Sequence, residues 1–540
     1  MNERKADVLI VGGGVGGCAA AVAVAQSGHR VILTEECDWI GGQLTSQAVP
    51  PDEHGWIERF GCTASYREFR NGVRNYYRRN YPMTETARGN VLLNPGNGWV
   101  SPLCHEPRVA LAILNAMLAP FISNGTLTVL LNHRPVKADV EGDKVQAITL
   151  RDQQTNNEIT IQADYFLDAT ELGDLLPLTG TEYVTGAEAQ SQTGEPSAPE
   201  QAQPKNVQAF SMCFAMEHRE GEDHTIERPA NYSFWRDYVP QLSPPWPGRL
   251  LSWDITHPRT MQPHRYHFAP HREPTKAFAG LWTYRRIIDR TNFVPGFYAS
   301  DVSLMNVPML DYLLGDISDA SEADRELHIQ QAKELSLSFF YWLQTEAPRP
   351  DGGVGFSGLR LRGDLTGPND GLAKMPYIRE SRRIKAEFTI VEQHVAEALR
   401  PNQILAEHCS DSVGIGYYRI DLHPSTGGDN YIDVGSLPFQ IPLGALIPQR
   451  MENLLPACKN IGTTHITNGC YRLHPVEWNI GEAAGSLAAN CLEGKLSPRQ
   501  VYRDEILLAD FQQRLVKQGV ELAWPEDLVL GEGDPHAHAS

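Results

Sequence analysis

The stretch ADVLIVGGGVGGCAAAVAVAQSGHRVILTEE, residues 6–36, constrains this chain more than any other. Residues 7–11 form a short apolar run of the kind that makes a buried parallel strand. Gly12, Gly14 and Gly17 follow as GxGxxG, and GCAAAVAVAQ then reads as a helix of small residues with Gly28 at its C-cap. RVILTE is a second strand ending at Glu35. Each part has a mechanical reason. Gly12 permits the tight turn, Gly14 lets a pyrophosphate approach the backbone, and Gly17 lets the helix pack on the strand. The helix start offers N–H groups and partial positive charge to a phosphate, and a carboxylate at Glu35 can accept bonds from a ribose diol. Strand, glycines, helix, second strand and acid stand in register, so the segment predicts a dinucleotide-binding unit. A second GxGxxG, at Gly353, Gly355 and Gly358, follows PRPDG instead of a strand and precedes LRLRGDLTG instead of a small-residue helix. It reads as a glycine-rich loop, which leaves no second nucleotide fold.

Whole-chain numbers set the outer bounds. A length of 540 residues suggests two to four domains or one elaborated fold. The 41% hydrophobic content suffices for a sizeable core. A formal net charge of −19 makes nucleic acid and anionic membrane poor partners. No run of about 18 apolar residues exists to insert in a membrane. The N-terminus lacks the long apolar region of a signal peptide, so the expected location is cytoplasmic. Nine cysteines without a CxxC pair argue against a disulfide framework and against a metal site.

GGQLTSQ from Gly41, DATELGD from Asp168, YIRESRRI from Tyr377 and GEAAGSLAA from Gly481 join GGGVGG in a wider pattern. With these motifs, spread over residues 7–490, the chain resembles the FAD-dependent oxidoreductases with a glutathione-reductase-type FAD fold. These are relatives of the fumarate reductase and succinate dehydrogenase flavoproteins, and the nearer group is a bacterial one. The resemblance implies an α/β architecture: a Rossmann-like FAD-binding domain with an inserted α+β substrate or cap domain. Boundaries follow at 1–180 and 431–495 for the two parts of the FAD domain and 181–430 for the insertion. Residues 496–540 are left as a helical extension and tail. It also implies that Gly41, Gly42, Gln43 and Thr45 cover the far side of the pyrophosphate and that Val136 lies near the adenine. Ala169 and Gly173, in the DAT turn, would close the site. Lys459, Asn460 and Gly462 occupy the zone where such proteins hold the ribityl chain. The last helix would aim its start, the backbone N–H groups of Glu477, Trp478 and Asn479, at the flavin edge where reduced flavin carries negative charge.

Other stretches carry expectations of their own. TLTVLLNHRPVKADVEGDKVQAITLRDQQTNNEITIQADYFLD reads as a small antiparallel sheet returning to the core. GAEAQSQTGEPSAPEQAQPKN reads as a mobile loop or lid, and the Trp-, His- and Pro-rich run from Pro244 to Pro274 as irregular structure over a pocket. ADRELHIQQAKELSLSFFYWLQTEAP is a helix ending at Pro348. In MPYIRESRRIKAEF, helical spacing would bring Arg379 and Arg382 or Arg383 to one face, where they could hold a carboxylate or brace the domains. NGCYRLHP reads as a polar loop before Pro475, placing Tyr471, Arg472 and His474 near the flavin with His465 close by. Either histidine could take a proton as hydride leaves, and Arg472 and Arg379 could anchor an anion.

The expected function is an FAD-dependent dehydrogenase or oxidase that removes hydride from a small polar, carboxylated or uncharged metabolite. Its partners would be that substrate and oxygen or another non-nicotinamide acceptor, with a homodimer left open. The alternatives are a flavin monooxygenase and a non-redox protein using FAD as a structural prop. No CxxxxC pair follows the GG motif, so disulfide-reductase chemistry is not expected.

Overall fold

The computed structural model describes residues 2–270 and 280–533. Residues 271–274 of the Trp- and His-rich stretch, and the end of the expected tail from 534, lie outside the described residues. Along the chain run β1 (Asn2–Lys5), β2 (Val8–Val11), α1 (Val15–Gln26), β3 (Val31–Glu35) and α2 (Ala64–Asn80). Next come β4 (Leu127–Leu131), β5 (His133–Glu141), β6 (Lys144–Asp152), β7 (Glu158–Gln162) and β8 (Tyr165–Asp168). The middle third holds β9 (Phe214–His218), β10 (Arg286–Ile288), β11 (Val302–Met305), α3 (Glu322–Thr345) and β12 (Leu359–Leu361). The last third holds β13 (Ile420–Leu422), β14 (Leu454–Pro456), α4 (His465–Tyr471) and α5 (His474–Gly494).

A five-stranded parallel sheet in the order β14-β8-β2-β3-β4 forms the centre. Its middle strand β2, VLIV, is buried along its whole length, as a strand covered on both faces must be. α1 is buried from Val15 to Ala25, which explains its Ala, Val and Gly composition: the sheet lies on one side and α5 on the other. The expected small antiparallel sheet is realised only in part. β5, β6 and β7 are antiparallel and β1 adds to β7 in parallel, but Leu127–Leu131 departs to the edge of the central sheet. The pairing of its five residues with Val31–Glu35 keeps the central sheet continuous.

The middle of the chain builds its own antiparallel sheet, β10-β11-β9-β12. A second hydrophobic core backs it, with Phe214, Trp282, Phe339, Phe340 and Leu343 all fully buried. α3 starts where the Ser321 hydroxyl accepts the Asp324 N–H and ends at Thr345, three residues before Pro348. The second GxGxxG lies in the loop between α3 and β12, with no helix directly after it.

Two expectations fail here. MPYIRESRRI is not helical: apart from a two-residue strand at Arg383–Ile384 it runs as irregular chain, because its arginines are drawn to acids on several different elements. The segment expected as a mobile lid is tied down. Glu195 is fully buried and accepts the Thr464 hydroxyl (2.6 Å) and the Glu392 N–H (2.8 Å), while Glu392 in turn holds Ser197. Buried hydrogen bonds to acids supply the anchoring that apolar side chains do not. Among the described residues, no helix is long and apolar enough to cross a membrane.

Candidate functional site

The glycine turn has the geometry that its sequence predicts. Gly12 has φ +99°, and a β-carbon there would lie 2.2 Å from the Ala169 carbonyl oxygen, so only glycine fits between β2 and β8. A β-carbon on Gly17 would come within 2.0 Å of the Gly12 carbonyl, which is the close helix-to-strand packing. Glu35 stands at the end of β3 and accepts the Gly13 N–H at 2.7 Å and the Cys37 N–H at 2.9 Å. Burial pushes its pKa up to about 8.

Around the start of α1 the chain gathers charge. Glu477, fully buried in the first turn of α5, accepts the Gly16 N–H at 3.3 Å and the Gln43 amide at 2.6 Å. Gln43 also donates to the Arg472 carbonyl at 3.0 Å. Lys459 is buried and paired with Glu171, whose other oxygen is buried without a partner. Gly14 and Gly42 face that Glu171 oxygen: β-carbons there would lie 3.1 and 2.7 Å from it. Glycine backbone, a helix start, a buried lysine and an unpartnered carboxylate oxygen make a donor and acceptor set suited to a dinucleotide's phosphates and sugar hydroxyls.

The remaining expected cofactor residues are distributed around this turn. Gly41 (φ +104°) precedes the turn at Gly42–Leu44, and the Thr45 hydroxyl closes it by donating to the Ile40 carbonyl. Val136 is the residue skipped where the β5–β6 register shifts between Pro135 and Lys137. Gly173 has φ +68° in the turn after β8. Asn460 ties the Asp168 carbonyl (3.0 Å) to the Cys458 N–H (3.2 Å), bracing the ends of β8 and β14. One expectation needs correction. α5 begins at His474, so the Glu477 N–H already bonds to the Leu473 carbonyl at 2.8 Å, and the N–H groups of Trp478 and Asn479 lie deeper in the helix. The open donors at this end belong to His474 and Val476, because Pro475 has none. The Trp478 indole donates to Ser65 (2.7 Å) and the Asn479 amide to the Val413 carbonyl (3.1 Å).

The expected catalytic residues do not converge as one cluster. What was read as a polar loop before Pro475 is the helix α4, since Thr464 caps it and Glu188 accepts the His465 N–H. His465 is buried on Glu380, with Nδ1 at 2.9 Å from one carboxylate oxygen. Glu380 also receives Arg383 at 2.6 Å, and Arg383 is itself fully buried. Burial opposes charge on both members, yet their attraction outweighs it: Glu380 falls to about 2 and His465 rises above its ordinary value. Tyr471 turns away, stacked on Phe439 at 4.2 Å and donating to the Gln440 carbonyl. Arg379 is buried against Asp311 (3.1 Å), Ser211 and the Ala209 carbonyl. His474 accepts the Asp52 N–H on Nδ1 at 3.1 Å, which leaves its other nitrogen as a buried N–H donor. Burial lowers its pKa to about 3, so it stays neutral.

Arg472 is buried, 3% exposed, and it has company that the sequence did not reveal. Its guanidinium meets Asp421 (3.4 Å) and the Tyr377 hydroxyl (3.5 Å), and its Nε is buried without a partner. Arg285 pairs with Asp52 at 3.3 Å, packs over the Tyr284 ring, and also leaves a buried Nε unpartnered. Tyr377 and Tyr418 bear on both arginines. Burial raises the pKa of both phenols, which keeps them as O–H donors. Arg285 and Tyr418 are only part-buried although deeply enclosed, as residues lining a cleft are. Two guanidiniums, each paired with an aspartate, and two phenols give this cleft a set of hydrogen-bond donors, tied through Gln43 to the glycine turn.

A sequence model for the family described as FAD dependent oxidoreductase matches residues 7–515. Hispidin-3-hydroxylase of Neonothopanus nambi is 28% identical over 144 residues, 26% of this chain and 33% of that protein. N,N-dimethylglycine/sarcosine dehydrogenase of Chromohalobacter salexigens is 51% identical over 47 residues, 9% and 7% of the two chains. The chain thus spans no more than a third of the length of these curated relatives. A geranylgeranyl bacteriochlorophyll reductase-like structure from Thermoplasma acidophilum aligns over 96% of this chain and 85% of its own, at 11% identity. Its TM-score of 0.30 is too low to bear on the architecture.

Proposed function

Because the chain belongs to the FAD dependent oxidoreductase family and uses FAD, we propose that it is a dehydrogenase or oxidase of a small carboxylated metabolite. When bound, FAD supplies the capacity to take up a hydride equivalent. The residues that would hold it are Gly12–Gly14, Gly16, Glu35, Gly41–Gln43, Ala169, Glu171, Lys459 and Glu477. The regions 1–180 and 431–495 carry these groups in this reading, 181–430 shapes the substrate side, and 496–540 is an extension.

The observation that carries the reading is that Arg285 and Arg472, which share Tyr377, Tyr418 and Asp52 as neighbours, each keep a buried Nε without a partner. A carboxylate with two oxygens satisfies two such forks at once. Tyr377 and Tyr418 orient it by donating O–H bonds, and His474 offers a neutral N–H donor beside Asp52. Reoxidation by oxygen or another non-nicotinamide acceptor is in keeping with Gly353–Gly358 following a loop instead of a strand.

The test is anaerobic mixing of the holoenzyme with amino acids, hydroxy acids, uncharged amines and uncharged alcohols. The carboxylated compounds are expected to bleach the visible flavin band. Bleaching by uncharged members alone would overturn the proposal. The partial likeness to a hydroxylase supports monooxygenation as a second reading; it requires NAD(P)H oxidation coupled to oxygen uptake.

A further inference from the structure

A cavity of about 380 Å³ lies against the end of α4, and none of the residues assigned above to FAD or to the arginine cleft lines it. Phe388, Ile390, Phe439, Tyr471, Tyr502 and Leu508 give it an apolar and aromatic wall. Phe439 and Tyr471 stack with ring centres 4.2 Å apart, and Phe388 stacks on His394 at 5.1 Å. Gln440 ties the parts together. Its carbonyl accepts the Tyr471 hydroxyl at 2.8 Å, its side-chain oxygen accepts the Cys409 N–H at 2.8 Å, and its amide donates to the Leu522 carbonyl at 2.7 Å. Size and lining are those of a preformed small-molecule pocket.

The charged part of the lining has one sign. Glu407, Asp411 and Glu505 line the cavity, and no lysine or arginine does. Glu407 is offset by Arg400 at 3.1 Å. Glu505 is exposed, and its side chain has no hydrogen bond or ion pair among the described residues. Asp411 is half-buried, accepts the Gly444 N–H at 2.9 Å, and meets no cationic side chain among the described residues. Burial raises its pKa, so a carboxylate here carries a desolvation cost that no opposite charge of the chain offsets. His394 does not supply that charge: its Nδ1 accepts the Val391 N–H at 3.1 Å, and burial lowers its pKa. His408, the other histidine of the lining, is exposed.

We propose that this cavity is a second binding site, for a small organic cation with an apolar body, whose ammonium pairs with Asp411 while the body packs on the rings of the wall. An anion would face three carboxylates with no lysine or arginine in the lining, and a neutral apolar guest would leave Asp411 uncompensated. Among the described residues no three His, Cys, Asp or Glu side chains are grouped to hold a metal ion, so the cation that suits the cavity is organic. Aromatic faces add attraction for an ammonium where water is displaced. The site is independent of the carboxylate reading above.

The experiment uses the holoenzyme and three probes of similar size: 2-phenylethylamine, the neutral 2-phenylethanol and the anionic 3-phenylpropionate. In calorimetry the amine is expected to bind on the order of 10-fold more tightly than the alcohol. Asp411→Asn keeps an oxygen for the Gly444 N–H and is expected to remove that preference, with Tm and flavin content unchanged. Cys409 lines the cavity and is the one cysteine of the nine that is not fully buried. Its alkylation by iodoacetamide, read by mass spectrometry, therefore reports where a probe sits and needs no variant. The amine is expected to slow this alkylation in step with its calorimetric occupancy, and 3-phenylpropionate, which the arginines would take, to leave it unchanged. Equal affinity for amine and alcohol, or equal protection by amine and anion, overturns the cation assignment. Amine binding that leaves Cys409 alkylation unchanged lies elsewhere and overturns the site. A preference for the amine that survives in Asp411→Asn overturns the role of Asp411, and binding of none of the three probes overturns the proposal as a whole.

Discussion

Gly481 in α5 lies so close to Gly16 in α1 that a β-carbon on it would sit 2.0 Å from the Gly16 carbonyl oxygen. The same approach recurs one turn on, where a β-carbon on Gly485 would be 2.6 Å from the Ala20 carbonyl. The helix near the end of the chain is thereby fixed to the glycine turn near its beginning, and Glu477 reaches the Gly16 N–H across that contact.

Gly481→Ala should therefore cost about 1–3 kcal/mol through overpacking against rigid backbone and should reduce FAD content on purification. Gly28→Ala is the control: at φ +83° with nothing within 4 Å, it carries only the left-handed penalty of about 1–2 kcal/mol and should keep full FAD. Thermal melts with flavin quantitation of both variants make the comparison.

Gln43 bridges the Arg472 carbonyl and Glu477, so it couples the glycine turn to the arginine cleft. Gln43→Leu leaves two buried acceptors without this donor, at about 1–3 kcal/mol each. FAD should dissociate faster on dilution, and carboxylate binding should weaken with it. Unchanged FAD retention would show that the bridge is incidental.

The Glu380–His465 pair predicts a pH window. Glu380 falls to about 2 from 4.5, so its contribution is present above about 4.5 and is lost as pH drops toward 2. His465 is raised above 6.5, so its contribution is complete below 6.5 and is lost as pH climbs through the raised value. Both are present between these limits, and the stability of wild type relative to Glu380→Gln should be greatest there. In that window the substitution should cost about 3 kcal/mol, because it takes the carboxylate partner from His465 and leaves buried Arg383 with Glu188 alone. Tm measured across pH for both proteins checks it.

What could be read in advance was whatever the backbone itself demands. Gly12, Gly17 and Glu35 sit within one strand–helix–strand unit, so their spacing alone encodes their contacts. YIRESRRI was misread as a helix because arginines three and four apart look the same on a helix as on irregular chain pulled toward separate acids. Asp52, Arg285, Tyr377, Tyr418 and Arg472 come from segments far apart in the chain, so no local period links them and only tertiary packing brings them together. Pro475 does stand in the first turn of α5, as read, but the open donors were assigned to Glu477, Trp478 and Asn479, one turn too deep, because Pro475 suits that turn without fixing the helix's first residue.

Arg472→Lys and Arg285→Lys keep the charge and remove the fork, so each should weaken binding of a carboxylated ligand by on the order of 10-fold. Tm should change little for Arg285→Lys, whose side chain is only part-buried, and somewhat more for Arg472→Lys, which is 3% exposed and loses its bond to the Asp421 carbonyl. A large loss of stability without loss of affinity would assign both arginines to bracing the two cores.

The central claim, that the cleft beside the FAD turn oxidises a compound gripped by its carboxylate, is tested most directly by stopped-flow reduction with an acid and its own primary amide. The acid should reduce the flavin, and the amide, isosteric but uncharged, should do so at least about 100-fold more slowly at equal concentration. Equal rates for acid and amide, unaffected by Arg285→Lys or Arg472→Lys, would contradict the account.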